Sequence, residues 1–131
     1  MTIEVTSALL QALLAEAAAA HPQEACGLLF GTAGRVEGFA ATANVHPAPH
    51  THFEIDPQAL IDAHRAMRAG GAQLIGYYHS HPVGEAAPSA TDRARAAPDA
   101  MVWAIVGRGR VTLWRAGDDG MTALPYRTVA A

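Results

Sequence analysis

The stretch His79-Ser80-His81-Pro82, followed by Pro88-Ser89 and Asp92, gathers the residue types that bind a divalent metal. At the end of a strand, residues two apart project from the same face, so His79 and His81 can aim their imidazoles at one point. Zinc takes nitrogen and carboxylate ligands at about 2.0–2.2 Å, and a catalytic site leaves its fourth position to water. Ten residues separate His81 from Asp92, a loop long enough to fold back and offer a third ligand from a helix's first turn. Two imidazoles and one carboxylate leave a metal of net charge about +1, able to acidify a water.

Each piece also has a plainer use. A His-x-His pair can simply be two polar residues ending a strand. Ser89-x-x-Asp92 is a good helix start, with serine as the cap and an acid in the first turn. The cap and the metal compete for one carboxylate. Only the whole pattern separates them, because two histidines, the loop, Pro88-Ser89 and the aspartate must coincide.

The elements that position these residues can be read from periodicity. A first helix is expected from about Ser7 to Ala20, capped by Thr6 or Ser7, with Leu10, Leu13, Leu14 and Ala17 at helical spacing. A second opens at Asp56-Pro57, carries Leu60, Ile61, His64 and Met67 on one side, and stops at Gly70-Gly71. Ala25 to Gly31 and Arg35 to Ala41 read as strands joined by Thr32-Ala33-Gly34, and His52 to Ile55 as a short strand. Gln73 to His79 is a mainly apolar strand in which Gly76 suggests close approach of a backbone or ligand. A Pro- and Gly-rich loop spans Pro82 to Pro88, and a short helix begins at Ser89 and fades before Pro98. Met101 to Val106 and Arg110 to Arg115 form a hairpin around Gly107-Arg108-Gly109. The tail, Met121 to Val129, is expected to be an edge strand that tolerates Pro125. Together these give a mixed sheet covered by helices.

Composition sets the outer bounds. A chain of 131 residues, half of them hydrophobic, is sized for one domain spanning 1–131. Nine basic against twelve acidic residues give a net charge of -3, which argues against gripping nucleic acid or an anionic membrane. Every basic residue is arginine, so Schiff-base and phosphate-loop lysine chemistry is excluded. The lone Cys26 forbids an internal disulfide and reads as a small buried hydrophobe. The apolar run Leu9 to Ala20 lacks a preceding positive charge and is interrupted by Gln11 and Glu16, so a secretory leader is not expected. No apolar run nears the ~20 residues of a membrane span, and a cytoplasmic protein is the default. His46, His50 and His52, punctuated by Pro47 and Pro49, read as a solvated loop that could instead line a groove. Trp103 and Trp114 read as packing residues in strands, and His64 as structural.

The loop pattern resembles the JAMM motif of the MPN-domain metalloproteases: His-x-His-Pro, then Pro-Ser, then an aspartate, with ten residues between the second histidine and the aspartate. Glu24-Ala25-Cys26-Gly27-Leu28-Leu29-Phe30-Gly31 is similar to that family's glutamate and first strand. Asn44 and Phe53-Glu54-Ile55-Asp56-Pro57 resemble its approach to the second helix. The resemblance implies a single MPN domain of α/β, cytidine-deaminase-like fold. It implies one Zn2+ per chain on His79, His81 and Asp92, with Glu24 as the general base for water and proton donor to the leaving amine. Ser89 is implied as an oxyanion donor. It also implies a substrate: the bond after the Gly-Gly tail of a ubiquitin-like or sulfur-carrier protein, as in compact bacterial members of the family. An extended tail would lie beside an exposed strand.

Other metal enzymes fit less well. A deaminase site needs a Cys-x-x-Cys pair, which one cysteine cannot supply. A metallo-β-lactamase-like site would need Asp and His where Val83 and Gly84 stand, and the helical His-Glu-x-x-His motif is absent. A catalytically silent MPN scaffold is the rival from another class. Such scaffolds usually lack metal ligands, whereas all are present here.

Overall fold

The computed structural model describes residues 2–130. Its elements in chain order are β1 (Ile3–Thr6), α1 (Ser7–Ala20), β2 (Cys26–Thr32), β3 (Arg35–Thr42), α2 (Pro57–Arg68) and β4 (Leu74–Ser80). Then follow α3 (Ala90–Arg95), β5 (Val102–Gly107), β6 (Arg110–Gly117), β7 (Gly120–Leu124) and β8 (Tyr126–Val129). One mixed sheet runs in the order β7-β6-β5-β4-β2-β3-β1-β8. None of the described helices is long and apolar enough to cross a membrane.

The local signals act as expected at most element ends. Thr6 caps α1 by accepting from the Leu9 N–H at 3.2 Å, and Asp56 caps α2 ahead of Pro57 in its first turn. The β5–β6 hairpin turns through Arg108 and Gly109, both at positive φ (51° and 73°), the backbone a two-residue type I′ turn demands. Neighbouring residues of β2 face opposite sides of the sheet. Leu29 packs with Leu9 and Leu13 of α1 in one core, while Leu28 packs toward Ala63, Leu60 and Met67 of α2 in another. The sheet is therefore covered on both faces. At Gly76, a Cβ would meet the Val102 carbonyl oxygen at 1.9 Å, so β4 and β5 can pair this closely only without a side chain there.

Two expectations need correction, and one strand stands where the sequence suggested no element. Ile3–Thr6 is a strand, β1, paired in parallel with both β3 and β8. Four residues are too few to show a period, and their partners lie far along the chain. His52 to Ile55 is not a strand; only an isolated bridge joins Ile55 to Asn44. The tail forms two strands rather than one edge. Pro125 has no N–H for a ladder, and there the chain leaves β6 at one edge and joins β1 at the other. Ile3 N–H donates to the Pro125 carbonyl at 3.2 Å, and the Tyr126 hydroxyl donates to Val111 of β6 at 2.7 Å. The sheet thus curls until its edges meet at this corner.

Candidate metal centre and active site

β4 delivers His79 and, just beyond its end, His81. β2 runs antiparallel to it with Cys26 opposite His79. The pairing continues past the strands: Ser80 N–H donates to Ala25 O at 3.0 Å, and Ala25 N–H donates to Ser80 Oγ at 2.8 Å. One step further along this register, Glu24 comes opposite His81. Register, rather than proximity in sequence, brings the acid to the histidines.

The Nε2 atoms of His79 and His81 lie 3.2 Å apart. Each is 3.1 Å from Asp92 Oδ2. A triangle of this size suits ligand atoms about 2 Å from one shared ion. The chemistry of the donor set agrees. The His81 Nδ1–H donates to the Glu85 carbonyl at 2.8 Å, which turns its Nε2 toward the carboxylate. A second imidazole and an ionised carboxylate converge on the same space, so a proton or a metal cation must neutralise it. His79 is fully buried, stacked on Phe53 at 4.3 Å and edge-on to Trp103, so its ring is fixed by packing. Its Nδ1 has no hydrogen-bond partner. Among the described residues this trio is the group able to hold a metal.

The cap contact and the two histidines meet at the same Asp92 oxygen. Asp92 Oδ2 accepts from the Ser89 N–H at 3.0 Å while facing both histidines, and Ser89 Oγ accepts from the Asp92 N–H at 3.0 Å. The capping box fixes the carboxylate in the orientation the histidines need.

Electrostatics follow from burial and these contacts. Burial alone would raise the Asp92 carboxyl. Hydrogen bonds with His79, then His81, and the Ser89 N–H reverse this and hold it below the usual carboxylate range. Burial pushes His79 down, outweighing the hydrogen bond to Asp92, which acts to raise it. The hydrogen bond to Asp92 raises His81 in spite of its own burial. Glu24, only 6% exposed, is pushed up to about 7, chiefly by burial, with His81 pulling it down and Asp92 raising it further. A carboxyl poised near neutrality is suited to taking and returning a proton.

Glu24, His81 and Ser89 line one open cavity of about 420 Å³, together with His21, His50 and Val83. His50 therefore belongs to a groove wall. His46 and His52 stack on each other at 4.7 Å instead. A second cavity of about 400 Å³, lined by Phe53, Leu60, Tyr77, Arg95 and Trp103 among others, meets the site from the Asp92 side. Trp103 and Cys26 are buried as expected, and Trp114 packs against Trp103's cluster.

The Pro82 to Pro88 loop is anchored, which its composition does not suggest. Thr112 Oγ1 donates to Ala86 O at 2.6 Å and accepts from the Trp114 indole at 2.9 Å. Glu85 contributes its carbonyl to His81, while its carboxylate pairs with Arg108 at the surface. Gly107 allows the loop to lie on β5: a Cβ there would meet Ala86 N at 2.6 Å and Glu85 O at 2.9 Å. The Gly107→Ala variant should therefore push Glu85 from His81 and weaken metal binding by about 10–100-fold, the usual cost of losing a ligand's orienting partner. Competition with a chelating dye measures this, and unchanged affinity would refute the anchoring role. Sequence reasoning gives no such role to Gly107 or Thr112, nor to Phe53 its stacking on His79. The glycine between Val106 and Arg108 was read only as part of a turn.

A profile of prokaryotic homologs of the JAB domain matches residues 6–117. The chain belongs to this family and is a JAMM-type peptidase by class, a hydrolase. It is similar to a desampylase of Haloferax volcanii, 37% identical over 99 residues, which are 73% of this chain and 71% of that protein. A probable TtuB-protein conjugate cleaving protease of Thermus thermophilus is 44% identical over 71 residues, 54% of this chain and 47% of that one. A CysO-cysteine peptidase of Mycobacterium tuberculosis is 37% identical over 95 residues, 70% of this chain and 64% of that one. Among solved structures, a protein from Desulfitobacterium hafniense superposes with a TM-score of 0.85 at 29% identity, covering 99% of this chain and 94% of its own. A JAB1/MPN domain protein from Archaeoglobus fulgidus shares the fold, with a TM-score of 0.62 at 19% identity over 96% of this chain and 98% of that one.

Proposed function

We propose that residues 1–131 form a single zinc metallopeptidase domain that cleaves the bond after the Gly-Gly tail of a ubiquitin-like or sulfur-carrier protein. What supports the chemistry is one observation: Glu24, His81 and Ser89 line the same cavity, with His79 and Asp92 converging on His81. What supports the substrate is that relatives are named for conjugates of this kind. His79, His81 and Asp92 would hold one Zn2+, which when bound lowers the pKa of a water and polarises the scissile carbonyl.

The chain's own groups supply the rest. Glu24 takes the proton from the attacking water and passes it to the departing nitrogen. The Ser89 hydroxyl proton stays free, because its oxygen is the one used in the cap, and it donates to the oxyanion that forms at the carbonyl carbon. Burial of Glu24 keeps its proton affinity high enough for both transfers. The reaction would run in the cytoplasm, where the single buried thiol needs no partner.

Ser89→Ala separates the two uses of the serine. As an oxyanion donor its loss should cost on the order of 10²–10³ in rate. The cap alone would cost about 1 kcal/mol of stability and leave the rate nearly intact. Steady-state kinetics beside urea unfolding distinguishes these.

The reading is tested by incubating zinc-loaded enzyme with a carrier protein extended beyond Gly-Gly and weighing the intact products. A new species ending at Gly-Gly, absent with Glu24→Gln, is the expected result. An uncut carrier in the presence of one bound zinc per chain would overturn the substrate, and a chain that binds no zinc would overturn the mechanism.

A further inference from the structure

Glu24 lies just outside β2, where its link to β4 is the Ala25 N–H bond to Ser80 Oγ at 2.8 Å. Its own N–H and carbonyl need further partners, because a base misplaced by about 1 Å can cost on the order of 10²-fold in rate. We infer that Asn44 is the positioning residue for Glu24, acting through the backbone. This rests on Glu24 being the base, as proposed above.

Asn44 follows β3 and is half-buried. Its Nδ2 donates to Glu24 O at 3.1 Å, His52 O at 2.9 Å and, more weakly, Pro49 O at 3.4 Å. Its Oδ1 accepts from the N–H groups of His46 and Glu54, both at 3.1 Å. The other peptide group of Glu24 is held by the same loop: its N–H donates to Pro49 O at 2.8 Å. Asn44 itself bridges to Ile55, and Val45 N–H donates to Glu54 O at 3.0 Å.

One side-chain amide thus ties His46, His52 and Glu54 of the 44–55 loop to the peptide of the base. That loop also places His50 and Thr51 in the cavity wall and Phe53 against His79. The demand is for a donor and an acceptor on one short side chain. Aspartate offers only acceptors and leucine neither, while glutamine sets the amide one methylene too far out.

The informative variant is Asn44→Asp, which keeps the acceptor for His46 and Glu54 but turns an acceptor toward three carbonyl oxygens. It is expected to lower kcat on the order of 10²-fold, with KM within about twofold and one zinc still bound per chain. Exchange of the Glu24 amide hydrogen should quicken by at least about tenfold, because its Pro49 acceptor is no longer held. Asn44→Ser, which reaches neither set of partners and lets water replace them, should show the same pattern if Asn44→Asp does not fold. Unchanged kcat and unchanged Glu24 exchange would overturn the inference. So would loss of zinc and of global stability in step with kcat, which would mark Asn44 as merely structural. The exchange measurement needs no substrate, so it tests Asn44 even if the wild-type chain leaves every carrier uncut.

Discussion

The Glu24→Gln variant is expected to turn over a carrier substrate about 10²–10⁴-fold more slowly than wild type while still binding one zinc per chain. Glutamine has nearly the shape of the acid and can still hydrogen-bond, but it cannot accept the water's proton at neutral pH. The same variant should be the more stable protein when both are stripped of metal. Glu24 has an ordinary value of 4.5 and is pushed up to about 7 in the fold, mainly by burial. The folded state therefore holds the proton more tightly than the unfolded chain. Stability from that proton is complete below about pH 4.5 and is lost as the pH rises through about 7.

At pH 8 the native protein carries an ionised, poorly solvated carboxylate, and the shift corresponds to a cost on the order of 3 kcal/mol. Glutamine does not bear it. Urea unfolding with a chelator present should show the variant gaining over wild type at pH 8 and very little near pH 5. Equal differences at the two pH values would mean that Glu24 is not desolvated. Retained activity would mean that it is not the base.

Asp92→Ala attacks the metal instead of the proton. Structural zinc sites contribute about 10–16 kcal/mol in total, so one ligand of the set is worth several kcal/mol, and affinity should fall on the order of 10³-fold or more. Activity at limiting zinc would vanish with it. The loss has a second part, because Asp92 is also half of the α3 capping box and the acceptor for His79 and His81.

In metal-free wild type, burial raises the Asp92 carboxyl, but its hydrogen bonds with His79 and His81 outweigh this and hold it below its ordinary value of 3.8. The sign is opposite to that of Glu24: the stabilisation is present above about pH 3.8 and drains away as the pH falls through the depressed value. Asp92→Ala should lack that contribution to the acid limb. Calorimetric metal titration and acid unfolding of the chelated protein check the two parts separately. Wild-type zinc affinity in the variant would remove Asp92 from the ligand set.

Much of this molecule is legible from residue order alone. The helices α1 and α2 carry their own caps and periods. The β5–β6 turn announces itself with Gly107-Arg108-Gly109, and the ligand types and their spacing stand within one short stretch. Those features depend on neighbours in the chain, and local stereochemistry is enough to specify them.

Other features were settled only when distant segments met. The resemblance marks Glu24 as the base, but what sets it opposite His81 is the antiparallel register of β2 on β4. β1 and β8 exist because each completes the other's ladder, and the tail divides at Pro125 because the curled sheet offers partners at both edges. Gly107, Thr112 and Asn44 matter for what packs against them. An isolated glycine or asparagine carries no period, and its value lies in a backbone that approaches from elsewhere in the sequence. The sequence by itself determined which atoms can bind a metal; the tertiary structure decided which carboxyl faces them and how firmly it is held, because both depend on long-range pairing and on exclusion of water.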